Sequence, residues 1–327
     1  MDLVLNIADE YVLDWVWARA LPASRFSSAC AAPTSMLNKT AHDLHQIAEA
    51  CGVSGKPVSW LPRDNIVRQT ISLYVITYIG ILLMYFSMAF LSYQFLFNKE
   101  LMKHPRFLKN QISLEIQSSL RAFPWLDLMT VPWFVAEVRG YSRVYERYDE
   151  YGIWYLFFSV PFFLVFTDAC IYWIHRIEHH PSIYKYVHKP HHKWIVPTPF
   201  ASHAFHPVDG YAQSLPYHIF PVLFPLHKLL FLGLFGFVNL WSIMIHDSDM
   251  ITGTGLEKII NGPAHHTLHH LYFTCNYGQY FTTCDRLGKS FREPLPEDDP
   301  LLAARAEGKI DHAQAVVESK ITHAKAE

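Results

Sequence analysis

The chain has 327 residues at 37.9 kDa, 51% of them hydrophobic and only 17% charged, where soluble domains carry about 25% charged residues; the balance points to a membrane protein. Lys and Arg number 27 against 29 Asp and Glu, and the formal charge of −2 offers no cationic excess for a nucleic-acid backbone. Five cysteines (Cys30, Cys51, Cys170, Cys275, Cys284) are odd in number and never spaced Cys-x-x-Cys, so they indicate neither a disulfide framework nor a thiolate metal site.

The first 54 residues lack the basic start, apolar core and small-residue cleavage site of a secretory signal, so they are expected to be retained. From Ile71 to Phe97 the sequence carries no charge and exceeds the roughly 20 residues needed to cross a bilayer. Lys99, Lys103, Arg106 and Lys109 follow it, which places that end in the cytosol and the N-terminus in the lumen. Ala122–Val138 is apolar but interrupted by Pro124, Asp127, Pro132 and Glu137; it reads as a short crossing, with an interfacial helix as the alternative. Tyr151–Ile174 is a clearer span whose one charge is Asp168. Leu215–Ile245 is apolar but broken near Pro225, His227 and Lys228, the pattern of two short helices joined by a turn. Such a hairpin returns the chain to its starting side. Beyond Pro294 the composition is polar, with a helix expected over 303–324.

Histidine is the unusual residue: 15 of 20 fall between His175 and His270. His175 and His179 are one helical turn apart, with His180 beside them. His188, His191 and His192 have the i, i+3, i+4 positions of a helical face, and His266, His269 and His270 repeat that spacing after His265. A histidine on an aromatic membrane-surface segment is by itself an interfacial residue. Three clusters with ligand spacing, on both flanks of an apolar hairpin, instead predict a metal site, and their number is enough for two ions. Carboxylate-bridged di-iron bundles need Glu-x-x-His pairs; there is none here, so the site is read as all-histidine. His246 ends the hairpin and is read as an isolated ligand. Asp168, two helical turns before His175, is a candidate to support a ligand imidazole. His203 and His206 are held as reserve ligands or structural residues, and His218 and His227 as structural.

Zinc hydrolysis uses about three protein ligands and an open position, fewer than are present. Two irons suit oxygen-dependent attack on an unactivated C–H bond of a lipid-embedded substrate. Electrons must come from outside, because the chain lacks a Gly-x-Gly-x-x-Gly fingerprint, a Cys-x-x-Cys-His haem attachment and iron–sulfur spacing. A membrane metal-binding or transport protein is the reading from another class; it would want more ionisable residues inside the spans.

From Asp168 to Pro294 the strings YWIHRIEHHPSIYKYVHKPHHKW, TPFASHAFHPVDGYAQSLPYH and INGPAHHTLHHLYFTCNYGQYFTTCDRLGKSFR resemble the fatty acid hydroxylase superfamily, most closely its sterol C-5 desaturase (lathosterol oxidase) type. The resemblance implies an all-α integral membrane protein of the endoplasmic reticulum with about four transmembrane helices and a cytosolic histidine-rich helical cap. It implies a C5–C6 double bond installed in a Δ7-sterol, using O2 and electrons from NAD(P)H through cytochrome b5 and its reductase. The family's boxes fall on His175, His179 and His180, on His188, His191 and His192, and on His266, His269 and His270, with His246 isolated. Thr198–Ser202 and Asn276–Tyr280 resemble the desaturase subgroup and are expected near the sterol. Cys284 departs from the bulky aromatic expected before Asp285-Arg286. A sister activity on the same scaffold, sterol C-4 methyl oxidation or lipid hydroxylation, is the near alternative. The expected organisation is an N-terminal lumenal or interfacial segment (1–65), transmembrane helices (66–174), a catalytic domain (175–292) containing the hairpin 215–245, and a polar tail (293–327).

Overall fold

A computed structural model of the chain describes residues 1–23 and 58–307. Cys30, Cys51, His42, His45, His312, His323 and most of the helix expected over 303–324 lie outside them; its described part, 303–307, is helical within a run that begins at 300. The described residues are mostly helical and fall in two compact units, one from Met1–Gly80 with Thr130–Tyr141, the other from Ile81–Met129 with Ser142–Glu327.

The first unit opens with α1 (Asp2–Ala8) and α2 (Asp14–Ala20), joined by a wider helical turn over Asp9–Leu13. The first half of α3 (Ile66–Phe95) carries Arg68, whose buried guanidinium donates to Asp9 and Asp14 at 2.5 Å each. A cation so far from water is tolerated because both carboxylates neutralise it.

α4 (Gln111–Val138) contains the stretch 122–138 as the second half of a 28-residue helix that continues through Pro124 and Pro132 and begins earlier than the sequence suggests. α5 (Ile153–Glu178) extends the predicted span by four residues, so that His175 lies within its last turn. Its buried residues Ser159, Phe163, Thr167, Ile171 and His175 recur at i+4, while Trp154, Phe158, Val165 and Trp173 are exposed. The outer stripe is apolar, as lipid requires, and the histidine continues the inner one. A four-residue helix, α6 (Pro181–Tyr184), follows.

The hairpin is present but starts earlier than predicted, as α7 (Pro207–Leu223) and α8 (Lys228–Ile245). Its turn is held by a two-residue parallel pairing of β1 (Val144–Tyr145) with β2 (Leu226–His227), in the register Val144↔Leu226 and Tyr145↔His227. That pairing fixes the entry to α5 beside the α7–α8 turn. Because α5 and α8 lead away from this end and α7 returns to it, the C-termini of α5 and α8 and the N-terminus of α7 meet at the other. Phe163 against Tyr217 and Phe220 seals α5 to α7. α9 (Pro263–Tyr272) crosses that end and is buried from Ala264 to His270; α10 (Thr283–Leu287) follows. Among the described residues three helices, α3, α5 and α8, are long and apolar enough to cross a membrane.

Candidate metal centre

Nine imidazoles converge where those helix ends meet, in two groups. His175, His179, His188, His192 and His269 form one; His191, His246, His266 and His270 form the other, with all potential ligand atoms of a group within 4.8 Å of one another. α5 supplies His175 in its last turn and His179 just beyond it, the end of α8 supplies His246 and α9 supplies the last three. His188 to His192 lie on a turn and a short 3-10 helix (His191–Lys193) rather than the single helical face expected. The second and third boxes are each shared: His188 and His192 face one group and His191 the other, while His266 and His270 face one and His269 the other.

In both groups the rings meet through Nε2. His188 lies 3.0 Å from His175 and 3.0 Å from His192, and His179 lies 3.1 Å from His192 and 3.3 Å from His269. In the second group His246 lies 3.2 Å from His191 and 3.0 Å from His266, and His266 lies 3.1 Å from His270. A metal–imidazole bond of about 2.1 Å sets nitrogens at right angles around one ion roughly 3.0 Å apart.

The outer nitrogens fix the tautomers. Nδ1–H of His175 donates to the Tyr277 carbonyl (3.0 Å), of His269 to Cys275 (2.7 Å), of His270 to Trp194 (2.9 Å) and of His246 to Ser242 (2.6 Å). That of His188 donates to the Asp209 carboxylate at 2.8 Å. Each of these rings, when neutral, therefore turns a bare lone pair inward. His175 and His188 then face each other across 3.0 Å with no proton between them, an arrangement that needs a cation. Burial, reinforced by neighbouring imidazoles, also pushes His191, His192, His266, His269 and His270 well below the ordinary histidine range, so these rings favour the neutral form. The donor set fits two ions that accept neutral nitrogen ligands. The rings of His192 and His270, one from each group, are 4.9 Å apart, so the two sites are neighbours.

Other candidates have other work. His180 is exposed and caps α6, its Nδ1 accepting from the Ser182 N–H at 3.4 Å. His206 and His227 cap α7 and α8 in the same way, each at 3.3 Å. A ring nitrogen here replaces the usual Ser or Asp oxygen, and Pro181 and Pro207 open their helices with a pre-set φ. His203 is buried but bonds to Ser202 (3.0 Å) and Asn239 (3.2 Å), and His265 packs against Phe291; neither joins a group. Among the described residues Asp168 bonds to no imidazole: its Oδ1 accepts the backbone N–H groups of Gln279, Tyr280 and Phe281.

The carboxylate behind a ligand candidate is instead Asp209, which sequence reasoning missed because it lies 21 residues from His188. It is 1% exposed and also receives Gln213 Nε2 at 2.7 Å. Such partners orient the ring and raise its basicity, and their loss costs about 10–100-fold in metal affinity. Asp209→Ala is expected to lower metal retention on dialysis by that order, with Asp209→Glu partly restoring it.

The family model for fatty acid hydroxylase matches residues 160–290, the stretch that carries all nine imidazoles. A Delta(7)-sterol 5(6)-desaturase of Gibberella zeae is 53% identical over 306 residues, covering 92% of this chain and 92% of the relative. One from Aspergillus fumigatus is 46% identical over 329 residues (96% and 91% covered), and the lathosterol oxidase of Mus musculus is 55% identical over 240 residues (73% and 80%). No solved structure matches the chain. With more than half of the aligned positions identical to the Gibberella protein across nearly the full length of both, the chain belongs to the fatty acid hydroxylase family, alongside the Delta(7)-sterol 5(6)-desaturases and lathosterol oxidases.

Proposed function

We propose that this chain is a sterol C-5 desaturase that introduces the C5–C6 double bond into a Δ7-sterol. The observation that carries the reading is the pair of all-imidazole groups, set at the ends of apolar helices in a chain so similar to enzymes named for that reaction. His175, His179, His188, His192 and His269 hold one iron and His191, His246, His266 and His270 the other. Loaded with two irons, and given O2 and two electrons, the centre supplies the oxidising power to remove one hydrogen each from C5 and C6.

The chain's own part is to hold and shield. In His175, His188, His246, His269 and His270, carbonyls and the Asp209 carboxylate keep Nδ1 protonated so that Nε2 stays free. Eight of the nine rings are buried, which excludes bulk water; His179 is half-buried at the rim. The sterol enters from the bilayer, since α5 and α8 carry apolar residues outward up to the level of the site (Trp173, Ile177, Met244). Electrons arrive from NAD(P)H through cytochrome b5 and its reductase on the cytosolic face of the endoplasmic reticulum, because the sequence has no dinucleotide, haem or iron–sulfur motif of its own. His203, His206 and His265 serve the fold around the site, not the ions, and Asp168 acts on the site only through the backbone of Gln279, Tyr280 and Phe281.

Expression in cells lacking sterol C-5 desaturation tests the function. The accumulated Δ7-sterol should be replaced by a product two mass units lighter. A gain of sixteen units would instead mean hydroxylation and would overturn the desaturase reading.

A further inference from the structure

Five consecutive backbone N–H groups, from Tyr277 to Phe281, point at just two side chains. Tyr277 N and Gly278 N donate to Asp285 Oδ1 and Oδ2 at 2.9 and 2.8 Å. Gln279 N, Tyr280 N and Phe281 N donate to Asp168 Oδ1 at 2.9, 2.6 and 3.2 Å. Successive amides curled about an anion form a nest, and a charged acceptor strengthens each bond. Ser290 Oγ adds a bond to Asp285 Oδ1 at 2.8 Å. Glycine is required at 278, where a Cβ would lie 2.6 Å from the Phe281 carbonyl and 3.0 Å from Asp285 Oδ2. Asn276, at φ +56°, ties the preceding turn to His265 and Arg292.

The loop held this way serves one histidine group. Its carbonyls at Cys275 and Tyr277 take the Nδ1 protons of His269 and His175. The Tyr277 ring lies 5.6, 5.0 and 5.5 Å from the rings of His175, His179 and His269. All three belong to the five-histidine group. The four-histidine group rests on other carbonyls: Ser242, inside α8, for His246, and Trp194 for His270. The stretch after Trp194 has its own anchors, with Gln111 bonded to the Val196 carbonyl and Glu115 to Thr198. The two groups therefore take their outer hydrogen bonds from separate carbonyls; the loop also meets α8 and α9, through Trp241 Nε1 on the Gln279 carbonyl at 2.8 Å and Asn276 on the His265 carbonyl, but neither bond is to a ring of the four-histidine group.

We infer that Asp168 and Asp285 are positioning residues for the five-histidine group alone, so that weakening this clamp empties one metal site and leaves the other filled. The inference rests on the two-iron reading above. Asp285→Asn puts an amide NH2 where an N–H or hydroxyl donor now points. The misplaced carbonyls at Cys275 and Tyr277 then release two of five rings, and the affinity loss expected for such partners is about 10–100-fold.

The test is metal content per chain after dialysis of detergent-purified protein. Wild type should retain about two ions and Asp285→Asn about one, at unchanged membrane abundance; adding His246→Ala to Asp285→Asn should remove the second. Should Asp285→Asn fail to accumulate, Asp168→Asn, which keeps an acceptor oxygen but loses its charge, must show the same selective loss. Retention of both ions with wild-type affinity, or equal loss from both groups, overturns the inference while the two-iron reading stands. A wild-type chain holding fewer than two ions overturns that reading and the inference with it.

Discussion

His269→Ala is expected to reduce sterol desaturation by at least about a hundredfold while the chain still accumulates in the membrane, because a direct ligand should matter more than the outer partners whose loss already costs 10–100-fold. His269 is fully buried, its Nε2 is 3.3 Å from that of His179, and its Nδ1 is spent on Cys275. Truncation removes one of the five inward ring nitrogens of that group. His180→Ala is the control, since that ring is exposed and only caps a one-turn helix; its turnover should stay within about twofold, and a cap of that kind is worth about 1 kcal/mol or less. Sterol profiles of complemented cells, with the chain quantified in membranes, check both. Substantial turnover by His269→Ala would remove the five-histidine group from the reaction.

The contrast between these neighbours also marks where sequence reasoning stopped. Spacing identified the boxes, because His175 and His179 sit one turn apart whatever surrounds them. It gave no means to choose between His179 and His180, since the helix ends at Glu178 and the choice depends on which way the chain leaves it. Nor did it divide the boxes. On α9, His266 and His270 are one turn apart and share a face, whereas His269 lies about 100° around the axis from His270 and so faces the other group. Between His188 and His192 the chain is a turn and a 3-10 helix, where the i, i+3, i+4 rule for a helical face no longer holds. Spans were legible because hydropathy is a local property; α3, α5 and α8 lie where the apolar runs put them. Asp209, Asp285 and the true bonds of Asp168 were not, since each depends on a partner brought near by tertiary folding: His188, Tyr277 and Gln279. The β1–β2 pairing was invisible for the same reason, two residues being too short to carry an alternation.

Stripping the metal should make the chain acid-labile in a narrow window. In the unfolded chain a histidine takes up its proton near pH 6.5. Folded, His191, His192, His266, His269 and His270 are held neutral by burial and by one another. Below pH 6.5 the unfolded state thus binds more protons than the native one, and stability that is complete above that pH is lost as it falls. The slope is about 1.4 kcal/mol per pH unit for each such ring, so five rings acting together approach about 7 kcal/mol per unit. Against a typical total of about 5–15 kcal/mol, this is enough to unfold the metal-free chain between about pH 6.5 and 5. Bound ions oppose the change, because they occupy the same lone pairs that protons seek; the loaded chain should hold its fold to lower pH. Melting followed by tryptophan fluorescence in detergent, from pH 7.5 to 5 with and without chelator, measures both curves. A melting temperature that stays level across this range after chelation would mean that the rings are not neutral and buried together, and the lone-pair argument for two cations would fail with it.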